Sequence, residues 1–304
     1  MTKTTLFAKY QSGGQFNVVD QSLTTGNVWW VDSGSAQALN QAGSGYNPDY
    51  PFATVNFAIT QCVANNGDVI FAMPGHIEYL GPLAAVLCNV AGIKIIGLGH
   101  GFDRPTFINI AAADTVLINC TTWIENISFL TGIDASIALI TVNAVDCVIK
   151  DCVFEDAISE ATDWILTTPN ASRLLVDGCN FYGASTAGTN SAIAIAGGAD
   201  IEIKGCYFKG DYAVGAIDVR TAPTSRLWVH DCKIWTIDAA DIAVIDTITT
   251  STGNIGPNLQ IMLQDHAANI TEACTGATFR YFDNIYVCNL VSEKGMLINK
   301  IASA

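Results

Sequence analysis

The chain has 304 residues, half of them apolar, and a formal net charge of −14. This acidic balance argues against direct binding to nucleic acid or to anionic membrane surfaces. No apolar run approaches the roughly 18 residues needed to span a bilayer, and the N-terminus lacks the apolar segment of a secretory signal.

The N-terminal region precedes any repeat. Residues 1–27 are rich in Gln, Gly, Ser and Thr, which indicates an N-terminal arm, and we expect this arm to be the attachment element. Val28–Asp32 is predicted to be a short strand. A helix is predicted over 51–64, because Pro51 can open a helix and apolar residues follow at helical spacing. These residues are Val55, Ala58, Ile59 and Cys62.

A short phrase then returns along the chain with a cysteine in the same place. Cys152, Cys179, Cys206 and Cys232 are separated by 27, 27 and 26 positions, and Ile127 takes the cysteine position 25 residues before Cys152. Each phrase alternates apolar residues, passes through Gly, Asp or Asn, and ends on an apolar residue. A period of this size made of alternating apolar residues is typical of a solenoid with one coil per repeat.

Alternation decides which side chains point inward, because strand residues two apart share a face. The predicted interior therefore contains the cysteines and a column of large residues two positions further on. This column is Phe129, Phe154, Phe181, Phe208 and Ile234. The fold class is all-β: a right-handed single-stranded parallel β-helix over 28–250, with the helix at 51–64 covering its open end.

The ten cysteines are predicted to be reduced, buried thiols of a protein made in a reducing cytoplasm, because most occupy one inward position. Disulfides between neighbouring coils are the alternative, since stacked coils bring cysteines within bonding distance. The period fades after Thr249. Residues 251–304 are predicted to form a C-terminal cap or assembly segment.

Several of these phrases resemble those of a known family. PFATVNFAI followed by GDVIFAMPGHIEYL, the phrase IKIIGLGHGFDRPTF and the later cysteine coils resemble pectate-lyase-like right-handed parallel β-helices. The overall character of the sequence is similar to that of tailed-bacteriophage virion proteins of this fold, of the head-decoration or fibre type. The resemblance implies a structural protein on the particle surface, whereas the fold by itself also serves lyases, hydrolases and adhesins.

Two outward columns could carry function. Glu125, Lys150, Asp177, Lys204 and His230 alternate in sign over four coils, which indicates either a ladder of surface charges that fixes strand register or a catalytic face. The neighbouring column contains four apolar residues that should meet water, and it also includes Glu202. We predict that they form a subunit interface, with cover by a loop or a carbohydrate-stacking platform as alternatives. These residues are Trp123, Val148, Leu175 and Trp228.

A third candidate is an acidic loop. Paired carboxylates there could hydrolyse a glycosidic bond or hold Ca²⁺, although an acidic solvated loop is commoner. The four acids are Glu155, Asp156, Glu160 and Asp163. His76 and Glu78 share a strand face as a metal pair without an evident third ligand.

These patterns favour a non-enzymatic virion component, without catalytic residue, metal or cofactor, that assembles as a homotrimer and contacts capsid or other virion proteins. The alternative is a tailspike-type protein that binds or depolymerises a host polysaccharide. Neither hypothesis involves nucleic acid or membrane insertion.

Overall fold

The structure is a computed structural model that describes most of the chain. The described residues are 26–81, 85–112, 114–133, 136–156, 161–185, 188–237, 244–246, 248, 250–262, 273–274, 278–289 and 294–298. The predicted attachment arm therefore lies almost wholly outside the described residues, as does Glu160 of the predicted acid site.

The chain winds through three parallel sheets in a repeating order. Sheet 1 contains ten described strands, each hydrogen-bonded to the strand of the next coil. They are Val28–Val31, Val69–Ala72, Ile93–Gly97, Thr122–Glu125, Val148–Lys150, Leu175–Asp177, Glu202–Lys204, Leu227–His230, Thr252–Ile255 and Thr278–Tyr281.

Sheet 2 follows sheet 1 after a turn of one or two residues in six coils, and after three, four or eight residues in the other three. Nine of its described strands are parallel: Ile77–Leu80, Thr106–Asn109, Ser128–Thr131, Val153–Asp156, Asn180–Tyr182, Tyr207–Gly210, Cys232–Thr236, Asn258–Met262 and Ile285–Asn289. A last strand, Lys294–Ile298, pairs antiparallel with Ile285–Asn289.

Sheet 3 completes each coil. Its eight described strands are Val86–Cys88, Val116–Ile118, Ser136–Val142, Ala161–Thr167, Ser191–Ile195, Gly215–Val219, Val244–Asp246 and Ala273–Cys274. Gly198–Ala199 and Thr224–Ser225 form a separate small sheet, and Gly101–Asp103 is a single 3₁₀ turn. The all-β parallel solenoid is the architecture that the period predicts.

The turn between sheets 1 and 2 explains the recurring Gly, Asp or Asn before the cysteine position. One residue per coil has a positive φ there: Asn126, Asp151, Gly178, Gly205 and Asp231. Only Gly tolerates this region freely, and Asn and Asp enter it more readily than other residues. The space is also tight, because a Cβ on Gly178 would lie 2.6 Å from Oδ1 of Asp151.

The interior contains the predicted columns. Cys152, Cys179, Cys206 and Cys232 are buried, and their thiols donate to backbone carbonyl oxygens of their own or the preceding coil. The rings of Phe129, Phe154, Phe181 and Phe208 stack at centroid distances of 4.9, 4.8 and 4.7 Å. Successive coils are therefore held by continuous columns of apolar side chains.

The N-terminal helix is present but shorter than predicted, at Val55–Gln61. It begins late because Phe52 is extended and pairs with Val31, and because Thr54 caps the helix by accepting from the N–H of Phe57. Its buried side chains, Val55, Ala58 and Ile59, join the core at the open end of the first coils.

The parallel pairing continues beyond residue 250, where the sequence period becomes hard to read. Thr252–Ile255 pairs with Leu227–His230, and Asn258–Met262 pairs with Cys232–Thr236. Thr278–Tyr281 and Ile285–Asn289 extend the same two sheets. The described strands of the predicted C-terminal segment therefore include further coils, and the antiparallel strand Lys294–Ile298 lies at their edge.

Candidate functional surfaces

The two outward columns predicted on sheet 1 stand in register. Val148 pairs with Trp123 and Leu175, and Glu202 pairs with Leu175 and Trp228. Trp228 is exposed, whereas Trp123, Val148 and Leu175 are half-buried. The column is thus interrupted by the carboxylate of Glu202, and its role as a subunit interface stays a prediction.

Both tryptophans of this column are held by polar neighbours. The indole Nε1 of Trp123 donates to Oε2 of Glu125 at 2.8 Å, and Nζ of Lys94 lies 5.3 Å from the Trp123 ring centroid. The ring of Trp228 stacks on His230 at 4.0 Å. A shallow cavity of about 140 Å³ opens beside Trp123 and Lys94.

The charged column of sheet 1 forms ion pairs within the chain. Lys150 Nζ lies 3.6 Å from Glu125 Oε1, and Lys204 Nζ lies 3.8 Å from Asp177 Oδ2 and 3.7 Å from Glu202 Oε1. The neighbouring Glu125 raises the pKa of Lys150. This arrangement supports strand register, because opposite charges on adjacent strands attract each other.

A second ladder, which the sequence analysis missed, lies at the turn between sheets 3 and 1. Arg173 makes a bidentate ion pair with Asp146 at 2.5 and 2.7 Å, and Arg226 makes the same pair with Asp200. All four residues have positive φ. The hydrogen bonds from Arg173 and Arg226 lower the pKa of Asp146 and Asp200 respectively. The 27- and 26-residue spacing of these residues is the signal that could have revealed the ladder.

The acids predicted as one site are separated in the structure. Glu155 is exposed on the outer face of sheet 2, whereas Asp156 accepts from Trp164 Nε1 at 3.2 Å and from the backbone N–H of Ala184 at 3.4 Å. Asp163 is buried in sheet 3. Strand alternation and the corner between the two sheets divide residues that are close in sequence.

Asp163 instead joins a buried cluster. Arg220 contacts Asp163 through Nη2, and its Nη1 lies 3.3 Å from Oδ2 of Asp218, two strands from Asp163 in sheet 3. Both carboxylates are buried. Burial raises the pKa of Asp163 to about 6, although Arg220 opposes this shift. One guanidinium thus serves two carboxylates in a poorly solvated setting.

His76 and Glu78 do not face outward as a metal pair. Both are buried. Nδ1 of His76 accepts from the N–H of Ser33 at 2.9 Å, so Nε2 carries the proton and donates to Glu78 Oε1 at 2.9 Å. Glu78 also accepts from the N–H of Val55, the first residue of the helix. The pair joins the N-terminal cap to the first coil.

The outer face of sheet 2 is the largest feature that the sequence analysis missed. We define this face by two outward residues from each of its nine parallel strands. The first column is Tyr79, Ile108, Leu130, Glu155, Tyr182, Lys209, Trp235, Ile261 and Val287. The second column is Ile77, Thr106, Ser128, Val153, Asn180, Tyr207, Lys233, Leu259 and Ile285.

Twelve of these eighteen residues are aliphatic or aromatic, and all eighteen are half-buried or exposed. Tyr79 is 61% exposed and Tyr182 is 39% exposed. The charged members are Glu155, Lys209 and Lys233. A solvated sheet face normally carries polar side chains, so a continuous apolar face indicates a contact surface. The residues on either side of each buried Phe are the sequence signal for this face.

Two lysines of this face lie against its aromatic rings. Nζ of Lys233 is 5.3 Å from the ring centroids of Tyr207 and Trp235, and Nζ of Lys209 is 6.0 Å from that of Trp235. Glu155, Lys209 and Lys233 form no ion pair with another described residue, in contrast to the lysines of sheet 1.

Eight of the ten cysteines are free thiols: Cys62, Cys88, Cys120, Cys147, Cys152, Cys179, Cys206 and Cys232. Burial raises the pKa of Cys88 to about 12 and that of Cys147 to about 11. The reduced state of all ten cysteines stays a prediction.

Within the same described ranges, no cluster of three or more His, Cys, Asp or Glu side chains could hold a metal ion. No helix there is long and apolar enough to cross a membrane.

No family model matches the chain, and no curated protein does. Solved structures are similar. A pectate lyase, Pel9A, aligns over 90% of this chain and 80% of its own at 8% identity with a TM-score of 0.60. A rhamnogalacturonan lyase aligns over 78% and 74% at 10% identity with a TM-score of 0.50. A Geobacillus virus E2 protein, ORF18, aligns over 95% and 69% at 11% identity with a TM-score of 0.33.

The sheet topology and the alignment with the pectate lyase define the fold: a pectate-lyase-like right-handed parallel β-helix. At identities near 10% the likeness concerns the fold and not the chemistry.

Proposed function

We propose that this chain is a structural protein of a bacteriophage particle, assembled through protein contacts on the particle surface. The observation that carries the proposal is the outer face of sheet 2, which carries at least one aliphatic or aromatic side chain on each of nine consecutive strands. Contiguous apolar surface of this kind is characteristic of protein interaction sites. The overall resemblance of the sequence to phage virion proteins of this fold supports the choice of particle.

The charges on sheet 1 also support a structural role. Lys150 and Lys204 are neutralised by acids of their own or neighbouring coils. A general base needs an accessible group with a tuned pKa, whereas these ladders hold strands in register. We therefore assign them to stability.

Locating the protein on the particle tests the proposal. Antibodies against the chain, used in gold-labelling electron microscopy of purified particles, should label the surface, and the protein should copurify with particles through a density gradient. Its presence in the infected-cell lysate but absence from intact particles would contradict the proposal. A known major capsid protein serves as the positive control.

The attachment role of residues 1–27 is part of the proposal and rests on their composition. Deletion of residues 1–20 should leave the β-helix folded, because none of the repeating core columns of the sequence includes them. Circular dichroism should be unchanged while copurification with particles is lost. Normal loading of the truncated chain would transfer the attachment role to residues 259–304.

A second candidate, a tailspike-type protein acting on a host polysaccharide, is favoured by the Asp163–Arg220–Asp218 cluster and by the fold shared with two polysaccharide lyases. Purified protein should be incubated with host capsule or lipopolysaccharide and assayed for reducing ends and unsaturated sugars. Product release that disappears in Asp163→Asn but persists in Glu155→Gln would establish this candidate. Under the structural proposal we expect no release by either protein.

A further inference from the structure

We propose that the outer face of sheet 2 binds a second copy of this chain in antiparallel orientation, about a two-fold axis that runs along the strand Asn180–Tyr182. This inference goes beyond the proposed function, because the contact between copies does not depend on a phage particle. It names one partner for one surface.

The position of the axis follows from the order of the strands. Asn180–Tyr182 is the fifth of the nine described parallel strands, so four of them lie on either side of it, and the antiparallel strand Lys294–Ile298 adds a tenth at one end. The two-fold axis lies in the plane of the contact and runs along this strand. Rotation about it reverses the order of the coils in the second copy, so the two solenoid axes run antiparallel. The strand before the centre then faces the strand after it, and each column faces itself.

This reversal brings opposite charges together. Glu155 lies one strand before Tyr182 and Lys209 lies one strand after it in the same column. Within one chain they are separated by two strand spacings, about 9.6 Å, with Tyr182 between them. Across the proposed axis Glu155 of each copy faces Lys209 of the other, which supplies two ion pairs and leaves neither charge unpaired in an apolar contact.

Most of the other positions of the two columns also match, and Thr106 against Leu259 is the exception. Leu130 faces Trp235, and Ile108 faces Ile261. In the second column Val153 faces Tyr207, and Ser128 faces Lys233, so the third charge of the face meets a hydroxyl group. The outermost pairs, Tyr79 with Val287 and Ile77 with Ile285, are apolar on both sides. Self-complementarity of one patch is the requirement of an isologous two-fold contact.

A parallel arrangement of two copies lacks this match. Equal strands would face each other with their columns exchanged, which places Glu155 against Val153 and Lys209 against Tyr207. The carboxylate would then be desolvated without a partner, and such burial is costly. The charges therefore select the antiparallel orientation.

The size of the face is sufficient for a specific contact. Eight strand spacings of about 4.8 Å give the face a length of about 38 Å. Strands of about four residues give it a width of about 13 Å. The two copies would bury about 1,000 Å² in total, the lower limit for a specific interface. We therefore expect a dimer of moderate affinity that dissociates on dilution.

Charge exchange tests the proposal. Glu155→Lys and Lys209→Glu alone should each weaken dimerisation at least tenfold in sedimentation equilibrium. The double variant E155K/K209E should recover to within about threefold of the original protein, because it restores both pairs with exchanged signs. Lys204→Ala removes a positive charge from sheet 1 and should leave dimerisation unchanged. Failure of the double variant to recover would overturn the proposed orientation, as would a monomer at 100 µM or a three-fold particle.

Cross-linking gives an independent reading of the orientation. Glu155→Cys and Lys209→Cys should be prepared separately, mixed, and treated with a short bismaleimide. Cross-linked dimers should form in the mixture and not with either variant alone, and the unmodified protein controls for its native thiols. Cross-linking of each variant to itself would indicate a parallel contact and overturn the proposal. Both experiments use purified protein, so their failure is distinct from a failure to label phage particles.

Discussion

On the outer face of sheet 1, Lys150 and Lys204 each lie close to acids of the same solenoid, whereas on the outer face of sheet 2 Glu155, Lys209 and Lys233 form no ion pair among the described residues. In the coils that carry these charges, the two faces are separated by a turn of one or two residues. On the first face the lysines are paired with acids of the same chain, so this face can remain in water. The second is apolar and leaves its charges for a partner, which is why we assign stability to one and assembly to the other.

The largest effect is expected from the core behind sheet 2. Phe181→Ala should lower the free energy of unfolding by about 3–5 kcal/mol, because it removes a ring that stacks on Phe154 and Phe208. The adjacent outward residue provides the matched control. Tyr182→Ala should change stability by less than about 1 kcal/mol and weaken self-association instead. Chemical denaturation and sedimentation separate the two effects, and equal loss of stability in both variants would contradict the assigned strand faces.

Sheet 3 offers a third case, because its carboxylates are paired with Arg220, as those of sheet 1 are paired with lysines, but are buried. The folded pKa of Asp163, about 6, lies above its ordinary value of 3.8. Protonation of Asp163 therefore stabilises the folded state: this contribution is complete below about pH 4 and is lost as the pH rises through about 6. Relative to Asp163→Asn, the original protein should lose up to about 3 kcal/mol of unfolding free energy between pH 4 and pH 7. Parallel pH profiles for the two proteins would show that Asp163 is not the titrating group.

A smaller effect is expected from the ladder itself. Lys204→Ala should cost less than about 1 kcal/mol, because the partly exposed pairs with Asp177 and Glu202 are screened by solvent. The cost should shrink further at high salt. Lys209→Ala on the opposite face should leave unfolding unchanged and reduce dimerisation. A salt-independent loss of several kcal/mol in Lys204→Ala would mean that the ladder is buried, as by a partner on sheet 1.

The smallest response is expected from the thiols. Cys88, Cys152, Cys179 and Cys206 are buried and should not react with a thiol reagent at pH 8 in the native protein, whereas all ten cysteines should react after denaturation without reductant. Alkylation followed by mass spectrometry measures this. Two or more cysteines that remain unmodified in the denatured, unreduced protein would indicate disulfides.

The fold was predictable to a large extent because the repeat places equivalent residues of each coil in the same register. The cysteine column, the stacked Phe column and the charged column of sheet 1 all follow from period-two alternation added to a coil length of 26 or 27 residues. The helix was predictable in type but not in its first residue, because pairing of Phe52 with Val31 competes with helix formation.

The candidate sites were less predictable, because they depend on contacts between different sheets. Glu155 and Asp163 are eight residues apart in sequence, yet the corner between sheets 2 and 3 separates them, and Asp163 meets Arg220 instead. The inward position of His76 and Glu78 likewise follows from their contact with the N-terminal cap.

By itself, the sequence determined that the chain is a solenoid, which residues fill its interior, and which charges stack on sheet 1, because these properties depend on local alternation and on a constant coil length. The tertiary structure decided which acids meet which arginine and where the N-terminal cap closes the core. It also decided that two residues from each of nine strands form one apolar face. These outcomes depend on the direction of every coil relative to its neighbours, which no single repeat contains.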